Sequence, residues 1–446
     1  MSQFLLGRSR IVTSAAILMS TLNGCESSPT AAGFGAHPVA LRAAGTSGSG
    51  GFQFTALPSS TVCTPGGNPE QPFILPAGYT QTIIAREGDG GTTDLWDMHT
   101  QNETGPQAGR FLYRTHEVRA GGQVSETDLV TGVTRIVAQR ADWERFDGIA
   151  WTPWGTILAA EETNRSALAD PAVPQAQAGL VYEIDPVTGT AIARPAIGSR
   201  SHEGLRFDPQ GNLYGISETS PGYIYRFVPD RRGDLSSGQL FALKVVAPSG
   251  DRTGEAVWVP LDRATVMVQS DVAALAAGAT GYVRPEDVEI ATSTGNNHGG
   301  ANVMYVAITG EDRVLGIDLR EPRGGSDHAT AFVYDYVRDG LNAPADFDLP
   351  DNLALDKAGN LYIAEDPGTA PRLGRGDDIW TAEPDGGPQH GAASTVVRFA
   401  SLTDCVAEPT GIYFDKRGWA LFVNVQHRGG DGRDLTVRIE RLPDAE

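Results

Sequence analysis

Apolar and polar positions alternate along much of the chain, and in several places the alternation carries the same punctuation. Gly148 to Glu162 reads as a short apolar strand, a turn at Gly155, a second apolar strand and a terminal acid. The frame recurs from Gly204 to Glu218 around Gly211, and from Asn352 to Asp366 around Gly359. A fourth copy, Gly411 to Gln426 around Gly418, is longer by one residue. Two looser copies run from Asp97 to Glu117 and from Glu286 to about Asp312. Period-two alternation on both sides of a glycine turn predicts a β-hairpin. Asp208, Asp356 and Asp415 stand three residues before the turn glycines and are expected to cap those turns. Hairpins starting near 97, 148, 204, 287, 352 and 411 predict an all-β fold, a six-bladed β-propeller of four-stranded blades.

The amino terminus follows another pattern. Arg8 and Arg10 precede an apolar stretch, Ile11 to Leu22, that is too short to span a bilayer. Basic flank and short apolar core predict a secretory signal over residues 1–25. It ends Leu22-Asn23-Gly24-Cys25, similar to a bacterial lipobox, so lipid on Cys25 would attach the protein to a membrane. The expected location is the periplasm or the outer membrane of a bacterium. Residues 26–70 are rich in Ser, Gly and Ala and are expected to be a flexible tether, with the propeller over 71–446. Besides Cys25 the cysteines are Cys63 and Cys405. In an oxidising compartment they could form a disulfide, or stay as two buried thiols.

Composition narrows the function. The 446 residues include 35 Lys+Arg and 55 Asp+Glu, a formal charge of −20. That balance argues against nucleic acid, whose phosphates demand a basic face. The lysines are Lys244, Lys357 and Lys416 alone, which leaves few candidates for a Schiff base. No Walker loop, Gly-x-Ser-x-Gly elbow or His-Glu-x-x-His is present. A monomer acting on a small molecule is expected.

The acids have a register. Just before each expected inner strand stands a carboxylate: Asp97, Asp147, Glu203, Glu286, Asp351 and Glu408. An antiparallel hairpin returns its second strand to the same face, bringing His116-Glu117, Glu161-Glu162, Glu218, Glu311-Asp312, Glu365-Asp366 and Gln426-His427. Like charges ~7 Å apart repel by about 2 kcal/mol per pair at an effective dielectric near ~20. Divalent cations with oxygen ligands relieve this, and calcium takes such donors in flexible geometry. His202-Glu203 and His116-Glu117 mix nitrogen and oxygen donors, which suits a transition metal. Arg284 is a candidate fork for an anionic substrate, or else a salt-bridge partner of Asp287 or Glu289.

Arg284-Pro285-Glu286, His202-Glu203-Gly204, and Glu408-Pro-Thr-Gly411 followed by Leu421-Phe-Val-Asn-Val-Gln-His427 resemble the PhoX-type alkaline phosphatases over roughly residues 73–430. The resemblance implies phosphomonoester hydrolysis at the channel mouth, with more than one Ca2+ and an Fe3+ pair. It implies that Glu203, Glu286, Glu162 and Glu218 ligate metal and that Arg284 holds the phosphoryl oxygens. Arg284 and Glu286 are then the catalytic candidates, with His202 beside Arg284 against the substrate. Ala160 stands where the family carries an iron-ligating cysteine, so that thiolate is missing. A calcium-dependent hydrolase of lactonase type, or a calcium-stabilised binding propeller, are the competing readings.

Overall fold

The computed structural model describes residues 54–248, 250–291, 302–320, 330–366, 374–384 and 391–442. The expected signal segment, Cys25 and the start of the expected tether lie outside the described residues. Nearly all regular structure is β; the α-helices among the described residues are the short segments Arg263–Val266 and Ser270–Ala277.

Each repeat seen in the sequence is an antiparallel hairpin. The first strands are Trp96–Gln101, Phe146–Trp151, Leu205–Phe207, Pro285–Ala291, Pro350–Leu355 and Glu408–Phe414. Each pairs with the strand that follows it. Consecutive first strands pack side by side, and Glu408–Phe414 returns against Trp96–Gln101 to close a ring. The fold is a β-propeller. Small residues permit the close approach: a Cβ on Gly148 would meet the Glu203 carbonyl oxygen at 2.0 Å. The turns are capped as their sequence predicts. Asp208 Oδ1 accepts the N–H groups of Gln210 and Asn212 at 3.0 and 2.8 Å, and Asp356 Oδ1 accepts that of Asn360 at 2.8 Å.

Hydrogen bonding groups the strands into five sheets, not six separate four-stranded ones. The third and fourth hairpins share a nine-stranded sheet. The strand Gly254–Pro260, part of a long insertion, pairs on one edge with Asp234–Val245 and on the other with Thr330–Arg338. An added strand between two exposed edges satisfies both, and so fuses neighbouring sheets. Apolar side chains fill the space between sheets, as where Leu158, Ala160 and Val181 meet Leu205, Tyr225 and Leu240.

Both chain ends close the ring. Tyr79–Arg86 pairs with Leu435–Arg441, with Tyr79 opposite Arg441 and Arg86 opposite Leu435. Cys63 and Cys405 form a disulfide with Cα atoms 5.1 Å apart across 342 residues of sequence. In the chain-entropy account a loop so long gives up to about 5 kcal/mol. Residues 54–70, the last part of the expected tether, are fastened to the propeller. Phe54 packs edge-on against Tyr79 and Phe399, and Leu57 N–H donates to the Arg398 carbonyl. A Ser/Gly-rich composition conceals these few anchors.

Candidate metal centre

One construction recurs at the start of the first strands. Leu95, Arg145, Arg284 and Leu349 adopt left-handed backbone, with φ of 57°, 43°, 53° and 46°. Each stands two residues before a carboxylate: Asp97, Asp147, Glu286 and Asp351. In all four strands the register then slips by one residue across that carboxylate, as between Trp96 opposite His116 and His99 opposite Arg114. A β-bulge of this kind re-aims a side chain. The four carboxylates thus turn out of the sheet toward the axis. Glu203 precedes its short strand, and Glu408 opens its own opposite Gln426.

The left-handed residue has a second use. The carbonyls of Leu95, Arg145 and Leu349 accept the N–H groups of Glu117, Glu162 and Asp366 at 2.8, 2.8 and 3.0 Å. Ser201 likewise accepts from Glu218 at 3.1 Å. These four acids form a second tier. In the fourth hairpin the equivalent donor is Thr309, paired with the Arg284 carbonyl at 3.0 Å. Arg284 itself reaches into the space that an acid would fill.

The two tiers line a cavity of about 440 Å³ that contains ten carboxylates, with Arg284 the one arginine or lysine among the lining residues. Oxygens of Asp147, Glu162 and Glu203 lie within 4.8 Å of one another, as do those of Glu203, Glu218 and Glu286. Burial first, and then mutual repulsion, pushes Asp97, Glu203 and Glu286 well above the usual carboxylate range. Burial dominates for Asp147, Glu162, Asp351 and Glu408 as well. Asp147 Oδ1 is buried with no hydrogen-bond partner.

Arg284 Nε lies 2.8 Å from Glu218 and 2.7 Å from Glu286, and Nη2 lies 3.2 Å from Asp366. Burial opposes its charge, and Glu286, Asp366 and Glu218 overcome that. Its partners are therefore neither Asp287 nor Glu289. Asp287 accepts the Leu353 N–H at 2.9 Å, and Glu289 pairs with Arg206 at 3.1 Å.

Several candidates do not reach the cavity. His202 is buried behind it, with Nε2 3.1 Å from the Gly198 carbonyl. Burial and then Arg200 hold it well below the usual imidazole range. This corrects its assignment as a substrate contact. His116 bonds Thr93 and Ser125, and burial followed by Arg114 lowers it to about 3. The cavity's imidazole is His427, 3.3 Å from Glu408. Where two acids are adjacent, strand alternation separates them. Glu161 turns inward to accept the N–H groups of Glu144 and Leu180, and Glu365 binds Arg375 and Trp380. Glu311 is held by Arg252 and Arg313, and Asp312 accepts the Leu349 N–H.

The donors suit hard cations: nearly all are carboxylate oxygens, and the buried Oδ1 of Asp147 has no donor of its own. Cysteine-ligated iron does not fit. Ala160 is fully buried among Leu158, Val181 and Leu205, and the cysteines among the described residues are joined to each other.

A sequence profile for the family described as "Alkaline phosphatase PhoX" matches residues 149–429, more than half of the chain. No curated protein matches the sequence significantly. Among solved structures, Pseudomonas fluorescens PhoX in complex with vanadate, a transition state analogue, is similar at a TM-score of 0.60 and 19% identity. The match covers 85% of this chain and 98% of that one. A gluconolactonase from Xanthomonas campestris scores 0.46 at 13% identity, covering 87% and 100%. A virginiamycin B lyase from Staphylococcus aureus scores 0.45 at 10%, covering 81% and 99%.

Proposed function

The chain belongs to the PhoX alkaline phosphatase family, and from that premise we propose that it is an exported, metal-dependent phosphomonoesterase. The observation that carries the proposal is the cavity itself: ten carboxylates around one arginine, drawn from all six hairpins. We count those hairpins as six blades, two of them fused. So many buried acids would repel a phosphate dianion unless cations stand between.

Calcium suits the oxygen donors, and bound divalent cations supply charge that neutralises the phosphate and orients the attacking oxygen. Asp147, Glu162 and Glu203 would hold one such ion, and Glu203, Glu218 and Glu286 another. Asp97, Asp351 and Glu408 complete the wall. Arg284 stands at the rim, its side chain 38% exposed. It offers a guanidinium to the phosphoryl oxygens and exchanges carboxylate partners for substrate. An envelope location follows from the signal-like amino terminus. Among the described residues no helix is long and apolar enough to cross a membrane.

Purified protein loaded with calcium should release p-nitrophenol from p-nitrophenyl phosphate at alkaline pH. Chelator should abolish the release, and added calcium should restore it. Calcium-loaded protein that cleaves no phosphate monoester would refute the proposal.

A further inference from the structure

Another group of carboxylates lies outside the cavity, where the chain ends close the ring. Glu87 follows the strand Tyr79–Arg86, Asp434 precedes Leu435–Arg441, and Asp94 stands two residues before Trp96–Gln101. One oxygen from each lies within 4.8 Å of the others. Backbone pairing holds two of them together. Glu87 N–H donates to the Asp434 carbonyl at 3.0 Å, and Asp434 N–H donates to Glu87 Oε2 at 3.2 Å. Asp94 is set beside them by left-handed Leu95, whose N–H donates to Asp94 Oδ1 at 2.9 Å.

Asp434 distinguishes this group from an ordinary acidic surface. It is 0% exposed, yet it points into the cluster. Its Oδ2 accepts the Trp96 N–H at 2.8 Å, while its buried Oδ1 has no hydrogen-bond partner. Leaving such an oxygen without a partner costs about 1–3 kcal/mol, and more when it is charged. Of the arginines nearby, Arg86 pairs with Glu70 at 3.1 Å and Arg428 with Asp431 at 3.2 Å, while Arg433 offsets part of the charge on Glu87 without forming an ion pair within the group. Glu87 is half-buried and Asp94 exposed, so the group opens to solvent that could complete a coordination shell.

We propose that Glu87, Asp94 and Asp434 form a further divalent-cation site, suited to calcium, that clamps the closure of the propeller. Such an ion ties the first and last strands of the final sheet to the entry of the first sheet. Trp96, held by Asp434, leads directly into Asp97 of the cavity. The site is independent of the phosphatase reading, because it is tested by binding and melting rather than by turnover.

Calorimetric calcium titration of the chelator-stripped full chain, with melting followed in parallel, tests it. The Asp94→Asn variant should lose one binding event, or weaken it at least ~10-fold. It should also lose part of the calcium-induced rise in Tm. The Glu203→Gln variant, altered in the cavity, should keep that event. Asp434→Asn should match Asp94→Asn; because Asp94 is exposed, its variant does not depend on the fold tolerating a change at a buried position. Calcium binding in Asp94→Asn identical to the parent overturns the proposal. So does disappearance of this event in Glu203→Gln.

Discussion

At the end of the channel where the hairpins turn, Asp208, Asp356 and Asp415 each accept backbone N–H groups from their own turn. Around them an open cavity of about 630 Å³ also holds Arg206, Lys357 and Lys416, two of the chain's three lysines among them. At the other end the acids find no such donors. Ten carboxylates share one arginine, and the buried Oδ1 of Asp147 makes no hydrogen bond. Carboxylates of the same type, on the same hairpins, thus have opposite surroundings. Where donors are local, an acid is part of a turn. Where they are withheld, the group is left for a cation or a proton.

Removing metal should have the largest effect. Chelation should cost more than ~100-fold in phosphatase activity and lower Tm, because the acid wall then repels itself. Activity unmoved by exhaustive chelation would break the contrast between the two ends. Next, Glu203→Gln or Glu286→Gln should cut bound metal and reduce kcat/KM by about two orders of magnitude, read by elemental analysis and steady-state kinetics. Replacing Arg284 by alanine should raise KM more than it lowers kcat, by roughly 10–100-fold in kcat/KM, with metal content retained. At the turn end, Asp356→Ala should cost about 1 kcal/mol of stability by denaturant unfolding and leave metal content unchanged. Loss of metal in that variant would show that the two ends are not independent.

The hairpins were legible because their signals are local: a period-two pattern and a glycine turn lie within fifteen residues. The inner acids Asp97, Asp147, Glu203, Glu286, Asp351 and Glu408 were legible for the same reason, since each stands at the head of its hairpin. The second tier was only half legible. Glu161 and Glu162 are equivalent in sequence, yet one binds the backbone of its own hairpin region and the other lines the cavity. His202 and Glu203 divide in the same way. The bulges and left-handed residues that choose between them have no single residue signature, since Leu95 and Leu349 are apolar whereas Arg145 and Arg284 are charged.

Sequence alone determined a closed array of antiparallel hairpins with an acid at the head of each, because strand alternation and turn formation need only near neighbours. Tertiary structure decided which acids meet, which histidines are withdrawn, which carboxylates hold Arg284, and that Gly254–Pro260 fuses two sheets. Those outcomes depend on how each strand bends against the next and on which donors neighbouring strands bring, and both belong to the assembled ring.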